Sequence, residues 1–310
     1  MSDLKNIDFS IIVLCYKPQM DKLKNTIISS IKQKNVSYEV IVVDDGSPFK
    51  YEKEIKEWVS KLNSDVRFKY VFSKVNQGTI RNYLNGIEIA EGKYIKPISP
   101  GDYFLNEYSL ERYKKEFDKG YDVIFADAAF YVDDEIVLNK QFPINYDIFN
   151  EKKMKKHYCF YGEYFVGATI AAKKELIAEM MKEAAQVATF SEDLATMLFS
   201  FFNGASIKGI PEELMFYEYG YGISTTSKGK SGLTKDNEQV YQHIMNKYPE
   251  DKIVKKMQRR ENIWRFKKPF NLLMCLFVFP NYIFSLLKAK YHKPMKTKAT
   301  IDELHAMISY

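Results

Sequence analysis

Four short apolar runs, each followed by a helical or polar segment, dominate the first 100 residues. These runs are Phe9–Leu14, Glu39–Val43, Phe68–Phe72 and Tyr94–Ile98. Continuous apolar runs of this length are typical of strands that are buried on both faces of a parallel sheet. Between them, apolar residues recur at helical spacing. The alternation predicts an α/β fold, with a mostly parallel sheet flanked by helices.

Polar turns follow three of these predicted strands. They contain Tyr16, Asp44 and Asp45, and the segment Ser99–Asp102. In doubly wound sheets, ligands bind at the carboxyl ends of the strands, near the point where the strand order reverses. We therefore expect the three turns to face one crevice. The sequence contains neither the GxGxxG pattern of dinucleotide-binding folds nor the GxxxxGK[ST] phosphate loop. The usual sequence markers of these two kinds of nucleotide site are therefore absent.

The second half of the chain is less regular. Ser191 is a good helix N-cap, and Glu192 and Asp193 follow it in the first turn, where acids are favoured. The other predicted elements are a strand over Tyr121–Phe125, a hairpin over Asp127–Asn139, a strand over Ala205–Ile210, and an aromatic, glycine-containing loop over Phe216–Ser224.

Five motifs in order give the chain a family resemblance. They are SIIVLCYKP, VIVVDDGSP, NQGTIRNYLNGIEIAEGKYI, SPGDYF and SEDLATML, and they span roughly residues 8 to 225. Together they resemble the family 2 glycosyltransferases, which have a GT-A fold. The resemblance implies a GT-A catalytic domain over residues 1–226, with a nucleotide-binding half (1–104) and an acceptor half (105–226). Residues 227–310 would form a basic, partly hydrophobic, helical extension.

The same resemblance implies an activity. An inverting enzyme of this kind moves a sugar from a nucleotide-diphosphate donor, by default a UDP-hexose, to a hydroxyl of a saccharide, lipid-linked or protein-linked acceptor. Such enzymes assemble surface polysaccharides and glycoconjugates. A catalytically inactive scaffold for another transferase is the alternative. A nucleotidyltransferase would need a glycine-rich loop after the first strand, and Cys15–Pro18 does not supply one.

Donor-binding roles follow from the resemblance. Tyr16 would lie against the nucleobase, and Asp45 would accept a hydrogen bond from its ring nitrogen, a strong directional contact. Asp44 would lie beside it in the same turn and hold that turn. Arg81 would reach the diphosphate of the donor, or it is simply a solvated helix charge.

Catalytic and acceptor roles follow in the same way. Asp193 would be the base that takes the proton of the attacking acceptor hydroxyl, and Glu192 would help to place the acceptor or the helix. The alternative is that both acids only favour the start of their helix. Candidates for a sugar-stacking wall are Glu163, Tyr164, Tyr217, Tyr219 and Tyr221.

The sequence departs from the family at its metal motif. Ser99 and Gly101 occupy the two positions of the usual Asp-x-Asp, and Asp102 is the one acid that remains. Asp102 would serve with the diphosphate to hold Mn²⁺ or Mg²⁺. Alternatively, Arg81, lysines and backbone N–H groups stabilise the leaving group without a metal, or the site has lost its function. All three hypotheses stay open at this point.

The basic charge is concentrated at the end of the chain. Residues 252–298 carry thirteen Lys/Arg and one acid, whereas the 19-residue segment Pro269–Leu287 inside them has no charge. Pro280 interrupts that segment and basic residues flank both sides, which disfavours a single membrane crossing. An in-plane hairpin on an anionic membrane is one interpretation. Helices packed on the catalytic domain, and the subunit interface of a homo-oligomer, are the others.

Charge and cysteine content also limit the cellular setting. The basic tail on a mildly acidic body suggests a docking surface, and we expect no nucleic-acid partner. Three cysteines without a CxxC pair indicate a reducing compartment and argue against structural zinc. The N-terminus has no signal-peptide pattern. We therefore expect a cytoplasmic protein, peripheral at the inner face of the plasma membrane.

Overall fold

A computed structural model describes residues 7–133, 135–137, 151–161, 166–222, 227–281, 283–284, 287 and 297–310. The strands are β1 (Phe9–Cys15), β2 (Tyr38–Asp44), β3 (Arg67–Phe72), β4 (Tyr94–Ile98), β5 (Tyr103–Phe104), β6 (Val123–Val132), β7 (Glu135–Val137), β8 (Ala171–Lys173) and β9 (Ile207–Glu218). The helices are α1 (Met20–Ile31), α2 (Phe49–Val59), α3 (Thr79–Ile89), α4 (Ser109–Phe117), α5 (Glu151–Tyr161), α6 (Lys174–Ala184), α7 (Glu192–Phe202), α8 (Ser227–Lys247), α9 (Lys252–Trp264), α10 (Phe270–Val278) and α11 (Ile301–Ile308).

One sheet contains all of these strands, in the order β3-β2-β1-β4-β8-β6-β9-β5, with β7 paired to β6. Strands β1 to β4 pair in parallel, as the sequence predicts. The chain first moves outward from β1 to β3 and then returns to place β4 on the other side of β1. The strand order therefore reverses between β1 and β4, where ligands of such sheets usually bind.

The register brings the ends of these strands to one edge. Cys15 at the end of β1 lies opposite Asp44 at the end of β2. On the other side, Val13 of β1 lies opposite Ile98, the last residue of β4. The polar turns that follow the three strands consequently start from the same edge of the sheet.

Helices cover both faces of the sheet, which explains the continuous apolar runs. Alternate residues such as Ile12 and Val43 face α3, α6 and α7 in one buried cluster. Their neighbours Val13 and Val42 face α1, α2 and α4 in a second cluster.

Strands β6 and β9 are longer than the sequence suggests. β9 continues through Glu218 because it pairs in parallel with β6 and antiparallel with β5, where Tyr103 lies opposite Phe216. The expectation of a loop starting at Phe216 was therefore wrong for residues 216–218. The hairpin is confirmed in its described part, as β6 and β7 pair from Phe130 to Val137.

The C-terminal helices differ in what they cover. Val240 of α8 and Met257 of α9 are buried in the same cluster as α3 and α7. Leu304 of α11 is buried against Tyr103. Helix α10 buries only Asn271 and Cys275. Among the described helices, none has both the length and the apolar character that a bilayer crossing requires.

Gly86 lets α3 approach the sheet closely. A Cβ at this position would lie 2.7 Å from Cγ2 of Ile12 and 2.8 Å from Cγ2 of Val43. We predict that Gly86→Ala lowers the free energy of unfolding by about 1 kcal/mol, the middle of the range left when the better helix propensity of Ala returns about 1 kcal/mol of an overpacking cost of about 1–3 kcal/mol.

Urea unfolding measures this difference. Glu88→Ala, on the exposed face of the same helix, is the matched control and should be neutral or slightly stabilising. A Gly86→Ala protein as stable as the wild type would contradict the packing of α3 described here.

Candidate active site

A cleft opens at the carboxyl edge of the sheet, where the strand order reverses. It joins segments that are far apart in the chain. Ser99 follows β4, whereas Glu192 and Asp193 begin α7. The residues that line it are Leu14, Tyr83, Pro97, Ile98, Ser99, Gly167, Ala168, Ile170, Glu192, Asp193 and Thr196. Of the three predicted turns, the one after β4 contributes a lining residue, Ser99, beside the predicted catalytic acids, and Leu14 contributes from within β1.

Asp44 and Ser47 fasten the turns after β1 and β2 to each other. The N–H of Ser47 donates to Oδ1 of Asp44 at 2.7 Å, and the N–H of Lys17 donates to Oγ of Ser47 at 2.5 Å. Asp44 is buried and therefore shapes the turn. Tyr16, which precedes Lys17, leaves 46% of its surface exposed, so its ring is accessible to a ligand.

Asp45 uses both carboxylate oxygens to hold the start of α3. They accept the N–H groups of Gln77 at 2.7 Å and Gly78 at 2.8 Å. Burial raises the pKa of Asp45, and these two hydrogen bonds oppose the rise. A carboxylate has about four lone-pair sites, so Asp45 keeps acceptor capacity for a further donor group. Its predicted contact with a nucleobase stays a prediction.

The loop before α7 ties the two predicted halves of the site together. The N–H of Ile80 donates to the carbonyl of Thr189 at 3.0 Å, and Oδ2 of the buried Asp236 accepts the N–H groups of Thr189 and Phe190. Arg81 lies one residue after Ile80, in the first turn of α3, and is exposed. It is not among the residues that line the cleft, and its predicted contact with a diphosphate stays a prediction.

Asp193 and Glu192 share a helix start but not an environment. Oδ1 of Asp193 accepts the N–H of Leu194 at 2.7 Å, and Gly167 leaves room for its side chain, since a Cβ there would lie 3.0 Å from Cβ of Asp193. Both side chains are half-buried. Desolvation and the charge of Asp193 raise the pKa of Glu192 well above its ordinary value.

Ser191 occupies the N-cap position of α7, but its hydroxyl does not cap the helix. It instead donates to Oδ1 of Asn237, on α8, at 2.6 Å. The expectation that Ser191 is a capping residue is right in position, whereas the contact that it makes is a tertiary one.

Lys96 is a buried charged residue near Asp102 that sequence reasoning missed. Desolvation lowers the pKa of Lys96 to about 7 and raises the pKa of Asp102 to about 7. The Lys96 ammonium donates to the carbonyls of Pro97 and Ala168. The available signal was a lone lysine inside the otherwise apolar strand Tyr94–Ile98.

The residues around Asp102 do not provide the usual ligands of a divalent metal. Ser99 and Gly101 carry no carboxylate, and the nearby carboxylate of Glu218 is already paired with the Lys22 ammonium. Within the described ranges, no group of three or more His, Cys, Asp or Glu could hold a metal ion. With one or two carboxylates at this turn, Mn²⁺ or Mg²⁺ would need the diphosphate to complete its coordination, and the role of Asp102 as a metal ligand stays a prediction.

The predicted acceptor residues divide into three groups. Tyr219 and Tyr221 follow β9 and are 41% and 43% exposed, as a sugar-stacking surface would be. Tyr217 is half-buried and packs edge-on against Phe130, with ring centroids 5.4 Å apart; Tyr219 meets the same ring edge-on at 6.1 Å. Glu163 and Tyr164 lie outside the described residues.

A family profile described as "Glycosyl transferase family 2" matches residues 10–179. The chain belongs to this family. A Haemophilus influenzae protein described as an uncharacterized glycosyltransferase is 33% identical to it over 98 residues, which are 32% of this chain and 38% of that protein. The chain thus matches well under half the length of this relative.

Solved structures of S. aureus TarS share the fold. TarS residues 1–349 align with a TM-score of 0.59 at 16% identity, over 97% of this chain and 83% of that chain. The same protein in complex with UDP-GlcNAc gives the same score and identity, over 97% and 90%. The GT-A fold predicted from the motifs is confirmed. As a member of family 2, the chain is a glycosyltransferase.

The Asp45 contacts give a testable stability difference. In Asp45→Asn, the side-chain amide would face one of the two backbone N–H groups and leave it without an acceptor. We predict a loss of about 1–3 kcal/mol, the usual cost of a buried unpaired group. Urea unfolding measures the loss, and amide hydrogen exchange at Gln77 and Gly78 localises it. Asp65→Asn, at an exposed position, is the control, and equal stability of the two variants would contradict this role.

Proposed function

We propose that this chain transfers a sugar from a UDP-sugar to a hydroxyl group, with inversion at the anomeric carbon. The observation that carries the proposal is the placement of Asp193 in the same cleft as Ser99 and Leu14. A carboxylate there faces the edge at which a parallel sheet binds its ligand. The fold likeness to TarS, which has been crystallised with UDP-GlcNAc, supports UDP as the nucleotide of the donor.

The proposed step needs one base and a stabilised leaving group. The acceptor oxygen attacks the anomeric carbon from the face opposite the diphosphate and gives its proton to Asp193. The bond from the anomeric carbon to the diphosphate breaks, and its electron pair leaves on the diphosphate oxygen. Asp193 lies in the first turn of α7 and borders the cleft, where a carboxylate within reach of the acceptor hydroxyl can act as its general base.

The two neighbouring acids should respond differently to removal of their charge. Asp193→Asn should lower kcat by about 10²–10⁴-fold, the usual contribution of a general base. Glu192→Gln should retain kcat within about fivefold, because the raised pKa of Glu192 means that Gln mimics its protonated form. The assay is release of UDP from UDP-GlcNAc or UDP-glucose with a panel of methyl glycosides as acceptors.

The outcomes of this comparison separate the competing functions. Equal losses in both variants would contradict the assignment of Asp193 as the base. No UDP release by the wild type, from either donor, combined with unaltered binding of UDP would favour the alternative of an inactive scaffold.

We further propose that α10 binds an anionic membrane surface. Its apolar side chains are exposed over most of the helix, and Phe277 is 83% exposed. Exposed basic residues lie on the preceding helix α9 and in the turn that leads to α10: Lys255, Lys256, Arg259, Arg265, Lys267 and Lys268. A contiguous exposed apolar surface marks an interaction site, and this combination of apolar and basic groups is typical of interfacial helices. A lipid-linked acceptor would be presented at such a surface.

Vesicle flotation tests this surface. We predict that the wild type floats with phosphatidylglycerol-containing vesicles and less with phosphatidylcholine vesicles, and that high salt weakens the binding. Leu273→Ser with Phe277→Ser should weaken it at least about tenfold, since each buried side chain contributes roughly 1.5–3 kcal/mol. Tyr108→Ser, at an exposed aromatic residue elsewhere, is the control. Equal flotation of the double variant and the wild type would contradict the proposal.

A further inference from the structure

Gly101 leaves a space that another carboxylate fills. Gly101 has a φ of 103°, a backbone conformation that favours glycine. A Cβ built on it would meet the carboxylate of Glu218, whose Cδ would lie at 3.3 Å. Glu218, at the end of β9, therefore occupies the volume into which an acidic side chain at position 101 would project.

A lysine ammonium is fixed on that carboxylate. Lys22 of α1 forms an ion pair with Oε1 of Glu218, and the exposed fractions of the two side chains are 23% and 8%. On another side, Nζ of Lys22 lies 3.8 Å from the ring centroid of Tyr221, a cation–π distance. The cation is therefore held in place while part of it still faces solvent.

Helix α1 positions this cation against the turn after β4. Thr26 lies four residues after Lys22, hence on the same face of the helix. Its hydroxyl donates to the carbonyl of Asp102 at 3.0 Å and accepts the N–H of Gly101 at 3.1 Å. Lys22 lies in the first turn of α1, whose amide dipoles add positive potential. The cation thus stands at the turn where the family normally carries its metal-binding acids.

We propose that the Lys22 ammonium binds the diphosphate of the donor and takes the place of a divalent metal ion. This assignment rests on the proposed function. An ammonium has three N–H donors, so the bond to Glu218 leaves donors for phosphate oxygens. Glu218 is more deeply buried than Lys22, so a diphosphate that enters from solvent meets the cation first. When the glycosidic bond to the diphosphate breaks, Lys22 offsets the charge that develops on the leaving oxygen.

A competing arrangement uses the same residues. If a metal displaced Lys22, the carboxylates of Asp102 and Glu218 would both become available as oxygen ligands. The two arrangements differ in what holds UDP when no metal is present. They also differ in the effect of removing the charge of Lys22.

Calorimetric titration with UDP and with uridine, in EDTA and in Mn²⁺, distinguishes them. We expect UDP to bind in EDTA within about twofold of its affinity in Mn²⁺. Lys22→Met should weaken UDP binding about 10- to 100-fold, the usual range for a charge-assisted hydrogen bond, and leave uridine binding unchanged. Lys22→Arg should restore most of the affinity. Lys24→Met is the matched control, because Lys24 is on the same helix, is 27% exposed and pairs with Glu54 at 3.6 Å.

A further variant distinguishes the loss of a binding contact from a loss of stability. Lys22→Met leaves the Glu218 carboxylate unpaired, so the double variant Lys22→Met with Glu218→Gln removes both charges and should show the same loss for UDP. Binding of UDP that requires Mn²⁺ and is unaffected by Lys22→Met would overturn the assignment and leave the proposed function intact. Failure of both UDP and uridine to bind under either condition would overturn the proposed function itself, and the assignment with it.

Discussion

The parallel backbone pairing of β1 with β2 on one side and β4 on the other is the constraint on which the site depends. It brings three strand ends to one edge, and helices on both faces bury the strands that do so. Because the strand order reverses between β1 and β4, the edge opens there into a cleft. Helix α7 then brings Glu192 and Asp193 to that cleft from the second half of the chain.

Buried carboxylates fix the backbone of the turns and helix starts at this edge. Asp44 closes the turn after β2, Asp45 fixes the start of α3, and Asp236 fixes the loop before α7. In each case, a buried side chain accepts backbone N–H groups, which are strong and directional contacts. Two of the acids expected to bind the donor are therefore also structural. A pre-formed edge lowers the ordering cost when a nucleotide-sugar binds.

The local parts of the structure were predictable from the sequence, and the long-range contacts were not. Strands β1 to β4 and the helix start at Glu192 follow from periodicity and motif order. The extension of β9 through Glu218 depends on its pairing with β6 and β5, which no local pattern reveals. Lys22 and Glu218 are 196 residues apart, and neither belongs to a motif. The burial of Lys96 is likewise set by the sheet that surrounds it.

Hydrogen–deuterium exchange of the intact protein, with and without UDP, tests the location of the donor site most directly. The account predicts that UDP slows backbone amide exchange at three places. These are the two turns at the ends of Cys15–Ser47, the segment Gln77–Arg81, and the segment Ser99–Asp102. Helices α8 and α9, which lie outside the cleft, should be unchanged. Protection by UDP elsewhere in the chain, with none at these three segments, would contradict the placement of the donor at the junction of β1 and β4.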